Sequence, residues 1–170
     1  MFRVGIVGHR YLTNRETVSF VLDQSVAFLK QAKAEHSAIT ALSAIAEGAD
    51  TVFAEAALAL DIPLEIVRPF ADYLSDFKTL SSRKRYEKLR AAASHEIKLR
   101  YGERSNTAYK AAMSWIVSHS DVLVVAWDGL AAAGEGGTGE AVKQAQKLNM
   151  HWLHLDVTNL SVTAHPPGPQ

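Results

Sequence analysis

The chain has 170 residues, 48% of them apolar and 21% charged, with 18 basic side chains balanced by 18 acidic ones. That length supports one domain with a real core, and a formal charge of zero gives no whole-chain attraction to nucleic acid or to a membrane surface. The lack of cysteine excludes disulfides, thiolate nucleophiles and cysteine metal sites, and no apolar run is long enough to span a bilayer.

Residues 2–7 form an apolar run that reads as a first strand and leads into Gly8-His9-Arg10. Thr13 or Asn14 is placed to cap a helix to about residue 33, with Val18, Val21, Leu22, Val26 and Leu29 on one face. Residues 38–42 read as a second strand, and Gly48-Ala49-Asp50 opens an alanine-rich helix to about residue 60. Residues 62–67 are a third strand, closed by Pro69. The stretch from 74 to about 100 is basic and reads as helix in one or two pieces, broken at Gly102. Ser105 or Asn106 starts another helix to about 119, with Ala108, Ala112, Trp115 and Ile116 inward. Residues 121–127 are a fourth strand, 138–148 a helix and 151–155 a last strand. The proline-rich end, 158–170, is expected to lack structure.

Strands that alternate with helices predict a single-domain, Rossmann-like, doubly wound α/β fold over residues 1–157. The expected sheet is mainly parallel and five-stranded, with helices on both faces. Ligands of such sheets sit at the carboxyl edge, where the strand order reverses. The N-terminus goes directly into a strand-like segment with no signal-peptide pattern, so a cytoplasmic protein is expected.

Two glycine turns point to an anion. Gly134-Glu135-Gly136-Gly137-Thr138-Gly139-Glu140 follows the fourth strand and opens a helix. Glycines admit close approach, and the N–H groups of a helix start point at the ligand. Gly8 would do the same after the first strand, with Arg10 forked onto phosphate; equally, Gly8 is a turn glycine beside two exposed polar residues. The third glycine of a dinucleotide fingerprint is missing. Between residues 78 and 110, ten basic residues face three acidic ones, formally +7. This is either a solvated helix face or an electropositive wall beside the ligand. Asp50 reads first as a helix cap. The seven histidines have no paired spacing, so no metal is expected. Trp127 is either a core aromatic or a base-stacking one.

Four motifs in order resemble the SLOG superfamily of Rossmann-like proteins, which includes the Lonely Guy enzymes and DNA-processing protein A. They are Gly8-His9-Arg10, Ala46-Glu47-Gly48-Ala49-Asp50, Arg104-Ser105-Asn106, and Asp128-Gly129 followed by Gly136-Gly137-Thr138. The resemblance implies a nucleotide or nucleotide-derived small molecule lying across the carboxyl edge. It would be held by Gly8, His9, Arg10, Ser43, Gly48, Arg104, Asn106, Asp128, Gly136, Gly137 and Thr138. No cofactor is implied, and a homodimer is expected from family habit, through the 106–119 helix or the 54–60 face. In Lonely Guy enzymes a catalytic glutamate follows the glycine turn; here Val142 and Lys143 stand where the acids should be. A looser resemblance, to nucleoside 2-deoxyribosyltransferases, rests on residues 120–129 and 137–141, with Glu140 one place early. Glu140 is thus either a nucleophile or sugar-binding carboxylate or a first-turn acid favoured by the helix dipole. The expectation is binding or sensing without turnover. The alternatives are N-glycosidic hydrolysis or transfer through Glu140 and, further off, single-stranded DNA binding. Zero net charge and the lack of an aromatic-interleaved basic strip argue against nucleic acid as a partner, and no membrane is expected.

Overall fold

Why this chain makes a two-faced parallel sheet is visible in its strands. In β1 (Phe2–Gly8) and β5 (Val122–Trp127), Val4, Ile6, Val122 and Val124 point to one core, while Val7, Leu123 and Val125 point to the other. Strands apolar on both sides need a helix layer on each face. The computed structural model, which describes residues 1–130 and 137–169, supplies both layers. Helices α1 (Arg15–Glu35) and α2 (Ala49–Ala59) pack together on the first face. Helices α4 (Asn106–Ser118) and α5 (Thr138–Lys147) cover the second. Helix α3 (Leu80–Ala92) adds Tyr86 and Leu89 to the first core.

The sheet also contains β2 (Ile39–Ser43), β3 (Leu64–Arg68), β4 (His95–Lys98), β6 (His151–Asp156) and β7 (Ser161–His165), in the order β4-β3-β2-β1-β5-β6-β7. All neighbours are parallel except β6 and β7. The chain winds outward from β1 through β4, then returns to place β5 on the other side of β1, so the switch point lies between β1 and β5.

The sheet has seven strands, where five were expected, and both additions are edges. Strand β4 falls in the stretch read as helix: α3 ends where the Ser94 N–H and hydroxyl both donate to the Leu64 carbonyl, at 2.8 and 2.9 Å. A half-exposed edge strand with a single aliphatic residue, Ile97, leaves little hydrophobic signal. Strand β7 falls in the segment expected to lack structure. The Asp156 carboxylate accepts the Thr158 and Asn159 N–H groups, both at 2.9 Å, which turns the chain back on β6. Helix α1 is capped by Asn14, whose side chain accepts the Thr17 N–H at 2.9 Å. Its buried line is Thr17, Val21, Ser25, Leu29 and Ala32, while Val18 and Leu22 of the expected face stand exposed.

The apolar faces that motivated a homodimer are covered in large part within one chain, with Leu58, Leu60 and Trp115 half-buried. Ala54, Ala56 and Ala57 are buried, and α4 turns Ala108, Ala112, Met113, Ile116 and Val117 inward. Trp115 is only half-buried and stacks on His119, with ring centroids 3.9 Å apart. No helix among the described residues is long and apolar enough to cross a membrane.

Candidate functional site

At the carboxyl ends of β1 and β2 a cleft of about 100 Å³ opens between the two helix layers. Its floor is Gly8, its sides are Arg10, Ala46 and Asp50 from one layer and Tyr109 and Met113 from α4, and Gly137 and Thr138 close it. Tyr73, from the 3-10 turn Tyr73–Asp76, forms part of the wall.

The floor is tightly packed. A Cβ on Gly8 would lie 2.6 Å from the Ala49 Cβ and 2.9 Å from the Ala126 carbonyl oxygen. Gly8 therefore brings α2 onto the junction of β1 and β5. Gly48, at φ +89°, is the N-cap of α2, and a Cβ there would sit 2.4 Å from both the His9 and Arg10 carbonyl oxygens. The Ala49 N–H donates to the His9 carbonyl at 3.1 Å, so the start of α2 is occupied by protein. At the start of α5, Gly137 likewise provides no side-chain cap; the Glu140 N–H turns back to the Gly137 carbonyl at 2.9 Å, and Gly137 and Thr138 line the cleft. First-turn N–H groups have no acceptor inside their own helix.

Arg10 brings positive charge to this space. Its guanidinium lies 4.3 Å from the centre of the Tyr109 ring and 3.6 Å from Asp76 Oδ2. Asp76 is the hub of a polar cluster. It accepts from the Tyr109 hydroxyl and pairs with Arg104 at 3.1 Å, and Arg104 also donates to the Tyr109 hydroxyl at 3.0 Å. Two arginines thus share one buried carboxylate at the mouth. Deeper in, Asp50 is 6% exposed. Burial pushes its carboxyl up to about 7, against the opposing pull of the Ala46 and Ala44 N–H groups, Arg10 and the Ser43 hydroxyl.

The residues inferred from sequence divide into several groups. Gly8, Arg10, Gly137 and Thr138 line the cleft. Arg104 stands at its mouth through Tyr109 and Asp76. His9 and Asp128 meet across the switch point, with His9 Nε2 3.2 Å from both the Asp128 N–H and its carboxylate. Desolvation raises the Asp128 carboxyl, but the Leu130 N–H and His9 outweigh it and leave it below its ordinary value. Ser43 is fully buried and accepts the Ile45 N–H at 2.9 Å, and Gly48 caps α2. Asn106 is exposed at the start of α4, and Gly136 lies outside the described residues. Glu140 does not line the cleft: Lys110 of α4 holds its carboxylate at 2.6 Å. Sequence reasoning missed Tyr73, Asp76 and Tyr109, and took Asp50 as a cap; the cap is Gly48 and Asp50 is a buried acid. No group of three or more His, Asp or Glu residues among those described is placed to hold a metal.

No protein family matches the chain in sequence, and no curated protein does. Solved structures do match. DNA processing protein A from Helicobacter pylori, described for its single-stranded DNA binding mode, is 17% identical over 90% of this chain and 64% of that one, with a TM-score of 0.62. DNA processing protein A from Streptococcus pneumoniae is 15% identical over 90% of this chain and 50% of that one, with a TM-score of 0.63. A structural-genomics target, TM1055, is 14% identical over 88% and 71%, with a TM-score of 0.55.

The fold is the Rossmann-like fold of DNA processing protein A.

This chain therefore spans about two thirds and half of those two DNA processing proteins. Against this likeness, the expectation that nucleic acid is no partner does not stand, because a protein of the same fold binds single-stranded DNA. Zero net charge is an average over the chain and does not describe one edge of it. Arg10 and Arg104 concentrate charge at one edge whatever the total is.

Proposed function

We propose that the cleft binds a phosphate-bearing nucleotide unit without breaking it. The observation that carries this reading is the convergence of Arg10 with the uncapped Gly137–Thr138 start of α5 in one cleft. Together they offer a guanidinium fork and free backbone donors to one anionic group. At about 100 Å³ the cleft admits a phosphate or sugar phosphate, and the rest of the ligand extends outward. Binding is preferred over glycosidic cleavage because Glu140, the carboxylate that would carry that chemistry, is engaged by Lys110.

A second reading has the likeness to a single-stranded DNA binder behind it: the bound unit is part of a single strand. The basic segment 78–110 would then follow the backbone, with Arg104 beside the cleft. Both readings share the phosphate site, and fluorescence titration separates them. Labelled AMP and ADP-ribose should bind and lose affinity in Arg10→Ala and Gly137→Val. A short labelled oligothymidine that binds far more tightly, with a steep fall in affinity with salt, favours the strand. Folded Gly137→Val that binds every probe as well as wild type would place the phosphate elsewhere.

A further inference from the structure

We propose that a second depression, on the far side of Arg10, reads the base of the bound nucleotide and takes guanine. This rests on the nucleotide reading of the cleft. The depression, about 20 Å³, shares Arg10, Ala46 and Tyr73 with the cleft and adds Tyr11, Glu47 and Asp76. A ligand whose phosphate sits against Arg10 therefore reaches it without leaving the protein surface.

Two side chains there have no structural employment. Glu47 is half-buried, yet among the described residues its carboxylate has no hydrogen bond or ion pair. Its neighbour Asp76 is taken by Tyr109, Arg10 and Arg104, which leaves Glu47 as the acceptor on offer. Tyr11 is 79% exposed and makes no ring contact among the described residues. An exposed aromatic ring beside an anion site is a stacking surface for a base, and stacking does not discriminate among bases.

Discrimination comes from Glu47. An ionised carboxylate only accepts hydrogen bonds. Guanine presents two donors side by side, N1–H and the N2 amine, which match the two carboxylate oxygens. Adenine and cytosine place a ring-nitrogen acceptor next to their amine, and uracil and thymine flank one N–H with two carbonyls. Each of those sets an acceptor against the carboxylate and leaves it poorly paired. A bidentate match of this kind discriminates by about tenfold or more.

Calorimetric titration with GMP, IMP, AMP and dGMP tests the assignment. Wild type should prefer GMP and dGMP over IMP and AMP by about tenfold. Glu47→Gln should erase that preference and leave AMP affinity unchanged, and Tyr11→Ala should weaken GMP and AMP alike. Thermal unfolding confirms that each variant is folded. Equal affinity for GMP and AMP, or an equal loss of both in Glu47→Gln, overturns the guanine assignment. Weak dGMP beside tight GMP overturns it in favour of a sugar hydroxyl on Glu47. If Arg10→Ala weakens every nucleotide while wild type shows no base preference, the base assignment alone fails. If no nucleotide binds, the cleft reading fails with it.

Discussion

Asp50 makes stability depend on pH in a direction opposite to most carboxylates. Its pKa is about 7 in the folded chain, against 3.8 for the exposed group, because burial disfavours the charge. Below about pH 4 the acid is neutral in both states and costs nothing. Between pH 4 and 7 the unfolded chain ionises it while the folded chain keeps the proton, so the unfolded state gains and stability falls. Above pH 7 both states are ionised and the loss levels off. Three pH units at about 1.4 kcal/mol each give a loss on the order of 4 kcal/mol. Asp50→Asn keeps the shape and an acceptor for the Ala46 N–H but does not titrate. Urea unfolding of both proteins from pH 4 to pH 8.5 isolates the effect, since every other titrating group cancels in the difference. The variant should be no more stable than wild type at the acid end and should gain on it steadily up to about pH 7. A difference that stays flat across that range would refute the claim that burial raises the Asp50 carboxyl in the folded protein.

Gly48→Ala should cost about 3 kcal/mol or more in urea unfolding, because it adds a Cβ at φ +89° within 2.4 Å of two carbonyl oxygens. Glu140→Gln should cost less than about 1 kcal/mol, since the Lys110–Glu140 pair is partly exposed, and should leave nucleotide affinity as it is. Chromatography of nucleosides and nucleotides incubated with wild type should show no released base; release that Glu140→Gln abolishes would reverse the preference for binding.

The sequence carried the central fold well and the edges poorly. Strands β1, β2, β5 and β6 are rich in apolar residues because helices bury both their faces, so their runs stand out. Asn14 and Ser105 sit where cap chemistry requires. The edge strand β4 has water on one side and a charge cluster of Arg68, Arg90, Lys98 and Glu96 around it, which looks like exposed helix in a linear reading. At the site, glycines and Arg10 were legible because turn geometry and phosphate chemistry restrict residue type. The polar cluster was not legible. Asp76 is 33 residues from Tyr109, and only the 3-10 turn brings them together. Local patterning cannot see a bond of that span, and the same blindness made Asp50 look like a cap.

His9 has a mechanical consequence. Its N–H donates to the Ala126 carbonyl at 3.0 Å, its carbonyl accepts the Ala49 N–H at 3.1 Å, and its ring reaches Asp128 at 3.2 Å. One residue thus rivets β1, β5 and the head of α2 together directly beneath the ligand space. Spreading the floor apart would break those two backbone bonds. The opposite wall is held differently. Tyr73 and Tyr109 both meet Phe70 edge-on, with centroids 5.4 and 5.6 Å away, and the Tyr109 hydroxyl is tied to Asp76 and Arg104. The cleft thus lies between a backbone-bonded floor and a side-chain-bonded wall, so a substitution at Phe70 or Asp76 reaches the ligand space through the tyrosines, whereas one at His9 reaches it through the main chain.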